Sequence, residues 1–151
     1  SGIISISLAL ELKNAKIIAT DISPDALKYA KINKDKFQVD IELIESNYLD
    51  KVNGDFDIII SNPPYIAANY PLDKWVLSEP KTALIGGQIG DEILKDIINL
   101  AKSRAKYLIC EMGYDQRESM KNYLDKLDFQ SEFYTDLAGL DRGFVAYNKG
   151  K

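Results

Sequence analysis

Short apolar segments alternate with longer amphipathic ones along this chain of 151 residues, and the alternation limits the possible folds more than any other feature. An apolar segment bounded by polar residues predicts a strand, and apolar residues spaced three and four apart predict a helix. When the two kinds of segment alternate, each helix can return the chain to the start of the next parallel strand. The sequence therefore predicts an α/β fold with a mostly parallel sheet.

The elements can be assigned along the chain. Helices are predicted over residues 3–12, 23–33, 91–103 and 116–127. Strands are predicted over residues 16–20, 41–45, 56–61, 107–112, 129–134 and 144–148. The last two strands flank a turn at residues 137–143, which indicates an antiparallel C-terminal edge on the sheet. Residues 66–87 contain several prolines and glycines and are predicted to form an irregular loop.

Three segments carry predictions about packing or capping. Residues 3–12 are apolar nearly all round the helix, which favours a buried helix. Residues 56–61 form a continuous apolar stretch, which is typical of a strand covered on both faces. Ser23 is predicted to cap the helix that follows it, because its hydroxyl can accept a hydrogen bond from a free N–H of the first turn.

Composition removes several classes of chemistry. The chain has no histidine and one cysteine, so a His-based triad and a closed zinc site are excluded, and no metal is expected. Cys110 lies inside a predicted strand and is expected to be a core residue. The net charge of −4 argues against nucleic acid as a partner. The apolar runs are too short to span a membrane and no secretory signal is visible, so a cytoplasmic protein is expected.

Asp21 follows the first predicted strand, at the edge of the sheet where α/β folds bind ligands. A carboxylate there can accept hydrogen bonds from both hydroxyls of a ribose. Gly2 lies 19 residues upstream, close to the offset of about 20 residues in dinucleotide-binding folds. The alternative is a solvated aspartate at the start of the helix that begins at Ser23. Asp21 alone leaves both interpretations open.

Asn62, Pro63, Pro64 and Tyr65 follow the apolar strand at 56–61 and are predicted to lie at the same ligand-binding edge. The motif suits a planar nitrogen, which is a poor nucleophile. The Asn62 side-chain oxygen and the Pro63 carbonyl can each accept one of its N–H bonds and aim the nitrogen at a methyl donor. The prolines restrict φ and stiffen these carbonyls, and Tyr65 offers a ring face to the substrate. A simple Pro-Pro turn is less favoured, because the motif follows a buried strand.

These residues belong to a longer pattern. It comprises Asn62-Pro63-Pro64-Tyr65, then Glu79-Pro80, Ala83-Leu84, Gly86-Gly87 and Gly90, then Glu111-Met112-Gly113, and last Asp136-Leu137-Ala138-Gly139-Leu140-Asp141-Arg142. Its order and spacing resemble the HemK/PrmC family of release-factor glutamine N5-methyltransferases. The resemblance covers essentially the whole chain. It implies a Rossmann-like class I methyltransferase sheet and a catalytic domain spanning residues 1–151.

The resemblance also implies a reaction. A methyl group would pass from S-adenosylmethionine to the side-chain amide nitrogen of the glutamine in the Gly-Gly-Gln loop of a peptide-chain release factor, with S-adenosylhomocysteine as product. Neither a metal nor a strong general base is needed. The implied catalytic residues are Asn62, Pro63, Pro64 and Tyr65. The implied cofactor residues are Ser1, Gly2, Asp21, Tyr48 and Asn62, and the implied substrate residues are Asn62, Pro63, Pro64, Tyr65 and Glu79.

The beginning of the chain departs from the family pattern. The family has a glycine-rich cofactor loop after the central strand of its sheet, and Ser1, Gly2 and Ile3 resemble only the last part of that loop. We therefore expect an N-terminally truncated domain that lacks the first central strand and the family's N-terminal helical domain. A sheet without that strand would have unpaired strand edges.

Two other functions stay open. An adenine N6-methyltransferase acting on DNA or RNA would hold the exocyclic amino group with Asn62 and Pro63, and would stack a flipped base on Tyr65. The acidic net charge argues against it. A non-catalytic binding module with a degraded cofactor site is the other alternative, and the shortened glycine loop is the feature that supports it.

Overall fold

The computed structural model describes residues 1–71 and 80–151. The chain divides into two compact units, residues 1–54 and residues 55–151. None of the described helices is both long and apolar enough to cross a membrane.

The first unit contains two helices and two strands, in the order α1 Ile3–Glu11, β1 Ile18–Asp21, α2 Pro24–Phe37 and β2 Glu42–Glu45. The strands are parallel, with Ile18 opposite Glu42 and Asp21 opposite Glu45. The crossover helix α2 packs against α1 and against both strands. The predicted parallel strand–helix–strand arrangement is therefore confirmed in this unit.

Helix α2 begins where the sequence predicts. The Ser23 hydroxyl accepts a hydrogen bond from the Ala26 N–H at 3.2 Å, so the predicted cap is formed. The helix continues past the predicted end at Asn33 and stops at Gln38, which has a φ of 52°. The extra turn is rich in lysine, which carries no apolar signal but is a good helix former.

Helix α1 is not the buried helix that its composition predicts. Ser5 and Ile6 are its buried residues, whereas Ile3 is 69% exposed and Ile4 and Leu10 are also exposed. In this unit the helix packs against α2, and a helix buries only the stripe that faces its neighbour. The prediction was wrong because apolar composition all round a helix does not supply partners for every face.

The second unit is built on a four-stranded sheet in the order β3, β6, β8, β7. Its elements are β3 Phe56–Ser61, β4 Ile66–Ala67, β5 Ile85–Gly87, α3 Glu92–Arg104, β6 Ala105–Glu111, α4 Arg117–Lys126, β7 Phe129–Thr135 and β8 Asp141–Asn148. β3 and β6 are parallel, and β8 lies between β6 and β7, antiparallel to both. The predicted α/β class, with parallel strands and an antiparallel edge, is confirmed.

The core of the second unit lies between one face of this sheet and the two helices. Its fully buried side chains include Leu94, Ile98, Leu108, Met120, Leu124 and Phe144. The buried Asn148 amide donates to the carbonyls of Lys102 at 2.9 Å and Ala105 at 3.0 Å, which joins β8 to the end of α3. These contacts fix the helices against the sheet and leave the loops at its carboxyl edge to form a site.

The expected covering of β3 on both faces is not observed. Ile58 is 46% exposed, and its partner across the sheet, Tyr107, is 41% exposed. The next pair, Ile59 and Leu108, points to the opposite face, where Leu108 is fully buried. The prediction was wrong because the two helices of this unit cover one face of the sheet, and β3 is its edge strand.

The segment at 66–87, predicted to be irregular, contains regular structure in its described part. β4 and β5 are parallel and pair Ile66 with Ile85 and Ala67 with Gly87. A short 3-10 helix, Lys81–Ala83, precedes β5. Strands this short give little periodicity, so the sequence pattern did not reveal them. Among the described residues β1 pairs only with β2, and β3 pairs only with β6. Each of these two strands, β1 and β3, therefore has one unpaired edge.

Candidate functional site

Three loops of the second unit meet at the carboxyl edge of its sheet. β3 ends at Ser61, which pairs with Cys110 near the end of the parallel strand β6. The residues after both strands therefore lie at the same edge. β7 runs in the same direction as β6, because each is antiparallel to β8, so the turn after β7 also lies there. Ligands of open α/β sheets bind at this edge.

The acceptor loop, residues 62–65, begins directly after β3. Asn62 is exposed, Pro63 is buried, and Pro64 and Tyr65 are half-buried. Within the described residues the Asn62 side chain makes no hydrogen bond, so its oxygen can accept one from a ligand. The loop thus presents a polar side chain from a backbone that is fixed by buried and proline residues.

The glycine-rich loop, residues 86–90, includes the end of β5 and packs directly against the acceptor loop. A Cβ atom at Gly86 would lie 2.6 Å from the Pro64 carbonyl oxygen, and one at Gly90 would lie 2.8 Å from the Tyr65 carbonyl oxygen. Gly90 also has a φ of 99°, which side chains rarely adopt. Glycine is therefore required at positions 86 and 90 by close backbone approach.

The Glu92 carboxylate organises this glycine-rich loop. It accepts hydrogen bonds from the Ile89 N–H at 3.0 Å and the Gly90 N–H at 2.8 Å. These bonds hold the pKa of Glu92 below its usual value, and the bond from Ile89 has the largest effect. Glu92 is not among the residues predicted from the sequence, although a glutamate two residues after a glycine and in the first turn of a helix is a recognisable signal.

Gln116 is a second residue that the sequence analysis did not identify. It is 8% exposed. Its Nε2 donates to the carbonyl oxygens of Tyr65 at 2.9 Å and Gly90 at 3.1 Å, and its Oε1 accepts from the Gly113 N–H at 2.9 Å. The sequence predicts only that a helix begins at this residue. No local pattern signals an amide that contacts residues so distant in the sequence.

The motif at residues 136–142 lies beside Tyr65. Arg142 forms an ion pair with Asp136 at 2.7 Å, and its other nitrogen lies 3.5 Å from the Tyr65 hydroxyl. The Asp136 carboxylate also accepts the N–H groups of Ala138 and Leu140. The hydrogen bond from Arg142 is the largest cause that lowers the pKa of Asp136. The turn after β7 is thus internally bonded where it approaches the acceptor loop.

Cys110 is fully buried at the end of β6, as predicted for a core residue. Burial raises the pKa of its thiol to about 12. A thiol of that pKa is protonated at neutral pH and is a poor nucleophile.

The first unit brings Asp21 and the residues after β2 to one edge. The Asp21 carboxylate accepts the Ser23 N–H at 2.9 Å through Oδ1, and the Asp21 carbonyl accepts the Ser46 N–H at 3.1 Å. Tyr48 follows two residues later, half-buried and with a φ of 46°. The carboxylate therefore has one internal bond among the described residues and keeps Oδ2 as an acceptor.

Ser1 and Gly2 stand at the start of α1. The Ser1 carbonyl accepts a hydrogen bond from Asn33 of α2 at 3.0 Å. Gly2 has a φ of 73°, and a Cβ atom there would lie 3.0 Å from the Ala30 Cβ. Glycine is therefore required at position 2 both by its backbone conformation and by its contact with α2.

The predicted site residues thus fall into two groups. Asn62, Pro63, Pro64 and Tyr65 are consecutive in the second unit, and Ser1, Gly2, Asp21 and Tyr48 belong to the first. Glu79, the remaining predicted substrate residue, lies outside the described residues. Within residues 1–71 and 80–151 no group of three or more Cys, Asp or Glu side chains is placed to hold a metal ion.

Known proteins resemble this chain in sequence. A family model described as the methyltransferase small domain matches residues 1–77. The release factor glutamine methyltransferase of Aquifex aeolicus is 36% identical, over 97% of this chain and 55% of its own length. That of Dictyoglomus turgidum is 40% identical, over 94% of this chain and 54% of its own. The chain therefore spans about half the length of these relatives.

Solved structures resemble it in fold. The ribosomal protein L11 methylase of Lactobacillus delbrueckii subsp. bulgaricus has a TM-score of 0.71 and 25% identity, over 98% of this chain and 65% of its own. The N-terminal domain of human METTL16 in complex with SAH has a TM-score of 0.67 and 17% identity, over 97% and 57%. The predicted class I methyltransferase fold is confirmed. With this fold, and with the family model matched over half of its residues, the chain belongs to the methyltransferase small domain family.

Proposed function

We propose that the protein carrying this chain transfers a methyl group from S-adenosylmethionine to the side-chain amide nitrogen of the glutamine in the Gly-Gly-Gln loop of a peptide-chain release factor. The observation that carries the proposal is the acceptor loop: an exposed Asn62 followed by a buried Pro63 at the carboxyl edge of a sheet. The relatives named as release factor glutamine methyltransferases support the same substrate. Residues 1–151 would act as one catalytic domain.

The residues of the first unit fit the proposed cofactor. Asp21 keeps one carboxylate oxygen available at the end of β1, where a ribose hydroxyl can donate to it. Tyr48 stands two residues after Ser46, whose N–H is bonded to the Asp21 carbonyl, and its ring would contact the adenine. Ser1 and Gly2 would contribute backbone at the start of α1. When bound, S-adenosylmethionine supplies an electrophilic methyl group on a sulfonium centre.

The residues of the acceptor loop would bind and orient the reacting amide. The Asn62 oxygen and the Pro63 carbonyl would each accept one N–H of the glutamine side chain, which fixes the plane of its NH2 group. Tyr65 and Pro64 would lie against that plane. This role is positioning, which in well-oriented systems contributes about 7–11 kcal/mol to lowering a barrier. Glu79 would contact the substrate.

Labelled-methyl transfer tests the proposal. The protein is expressed from its complete reading frame and offered a release factor, the same release factor with alanine in place of the loop glutamine, DNA and ribosomal RNA. We expect label only in the unsubstituted release factor. Asn62→Ala should abolish turnover and leave release-factor binding largely intact, because Asn62 acts on the reacting nitrogen. Asn53→Ala, at an exposed position before β3, should match the unsubstituted protein.

Two outcomes would contradict this proposal. Label in adenine, with the release factor unmodified, would favour an adenine N6-methyltransferase. The absence of both cofactor binding and transfer would favour a binding module.

A further inference from the structure

The backbone at Tyr65 is a joint between two fixed segments. On one side, Pro63 and Pro64 have a restricted φ. On the other, the Ile66 N–H is bonded to the Leu84 carbonyl at 3.0 Å and β4 pairs with β5. The direction of the acceptor loop relative to the sheet therefore depends on what holds the Tyr65 peptide.

Gln116 provides that hold. Its Nε2 bonds the Tyr65 carbonyl and the Gly90 carbonyl, and its Oε1 bonds the Gly113 N–H. An amide can do this because it carries two donors and an acceptor on one planar, uncharged group. The backbone of Gln116 is itself fixed at the start of α4, where the Met120 N–H donates a hydrogen bond to the Gln116 backbone carbonyl at 2.9 Å. Through Gln116, the Tyr65 carbonyl is thus linked to the glycine-rich loop, to the loop after β6 and to helix α4.

We propose that Gln116 is a positioning residue for methyl transfer, acting through the Tyr65 carbonyl on the direction of the acceptor loop. The inference rests on the function proposed for that loop. Gln116 is buried and its amide is engaged by backbone groups, so it acts on the Asn62 and Pro63 acceptors without contacting the substrate. Losing its bonds should misalign these acceptors while leaving most substrate contacts in place.

The test compares two substitutions in the protein expressed from its complete reading frame. Gln116→Glu keeps the size of the side chain but, when ionised, removes both donors; Gln116→Leu removes all three bonds. At the alkaline end of the pH profile, where the introduced carboxyl is ionised, we expect kcat to fall by about 10- to 100-fold in both, the scale of a displacement of about 1 Å. The KM for the release factor and the cofactor dissociation constant should stay within about twofold. Gln130→Glu, on the exposed face of β7, is the matched control.

The pH profile separates positioning from general damage. Protonation of the introduced carboxyl restores one donor, so the Gln116→Glu protein should recover part of its kcat, relative to the unsubstituted protein, as pH falls. The Gln116→Leu protein should not recover. An unchanged kcat in both folded variants, or a loss of activity that tracks only the folded fraction at every pH, would overturn the inference.

A spectroscopic readout is independent of activity. The ¹³C resonance of the Tyr65 carbonyl should move in both Gln116 variants and stay in place in the Gln130→Glu control. If the unsubstituted protein methylates no release factor, the proposed function fails, and the carbonyl resonance still decides whether Gln116 holds the loop. In the unsubstituted protein both Gln116 side-chain N–H protons should exchange slowly with solvent; rapid exchange would contradict the hydrogen bonds themselves.

Discussion

The Asp21 carboxylate has two oxygens, so it can bond the turn into α2 and still accept a hydrogen bond from a ligand. One carboxylate oxygen accepts the Ser23 N–H, which steadies the turn into α2. The second oxygen remains an acceptor at the end of β1. The hydrogen bond to Ser23 therefore leaves acceptor sites free on the carboxylate, because an ionised carboxylate offers about four lone-pair sites.

Replacing Asp21 by alanine should weaken cofactor binding. A lost hydrogen bond between a charged group and a ribose hydroxyl costs about 1.5–3 kcal/mol, which corresponds to roughly a 10- to 150-fold rise in the dissociation constant. Calorimetric titration with S-adenosylmethionine measures this. Asp25→Ala, in the first turn of α2, is the control, and an affinity for Asp21→Ala equal to that control would remove Asp21 from the cofactor site.

The residues of the site differ in how visible they are in the sequence. Asn62, Pro63 and Asp21 can be predicted as site residues from the sequence, because they lie at or just after the ends of apolar strands and are chemically distinctive. Gln116 could not, because its partners Tyr65 and Gly90 reach it only through the fold. Sequence periodicity reports which face of an element is apolar; it does not report which distant backbone groups a polar side chain meets.

At the scale of elements, the packing of one loop against another defines the site. Gly86 approaches Pro64 and Tyr65 so closely that a methyl group has no room. The glycine-rich loop therefore acts as a backing for the acceptor loop. The helices and the longer strands were predictable from their periodicity, whereas the short strands β4 and β5 and this contact between β5 and the acceptor loop were not.

Gly86→Ala should displace these loops and destabilise the second unit. Because the neighbouring atoms belong to backbone and cannot rotate away, we expect a loss of more than about 2 kcal/mol in the free energy of unfolding. Urea titration followed by circular dichroism measures it. Gly150→Ala is the matched control, since a Cβ atom there would meet its nearest neighbours at an ordinary 3.5 Å. Equal stability of the two variants would show that the loops yield.

At the scale of the whole molecule, acid stability depends on carboxylates whose pKa is lowered on folding. The backbone N–H of Ile89 is the largest cause for Glu92, and Arg142 is the largest cause for Asp136. A lowered folded pKa stabilises the native state above the unfolded pKa. That contribution is lost as pH falls through the folded value.

The free energy of unfolding should therefore fall as pH decreases below 4.5, the ordinary pKa of a glutamate side chain. Glu92→Gln should make the free energy of unfolding less dependent on pH in this acidic range, because its side chain no longer titrates. Urea midpoints measured between about pH 3 and 7 report the slope. Glu118→Gln, in the first turn of α4, serves as the comparison. If the urea midpoint of the Glu92 variant has the same pH dependence as that of the unsubstituted protein, the bonds of Glu92 to the glycine-rich loop do not contribute to stability.

The place of β8 in the sheet has a consequence for synthesis on the ribosome. β8 follows β6 and β7 along the chain, yet it lies between them in the sheet. Until residues 141–148 have been made, β6 and β7 have no common neighbour, and the buried side of the sheet lacks Phe144 and Ala146. Helices α3 and α4 emerge earlier without a complete surface to pack on. A nascent chain of the second unit would therefore expose apolar surface until β8 emerges.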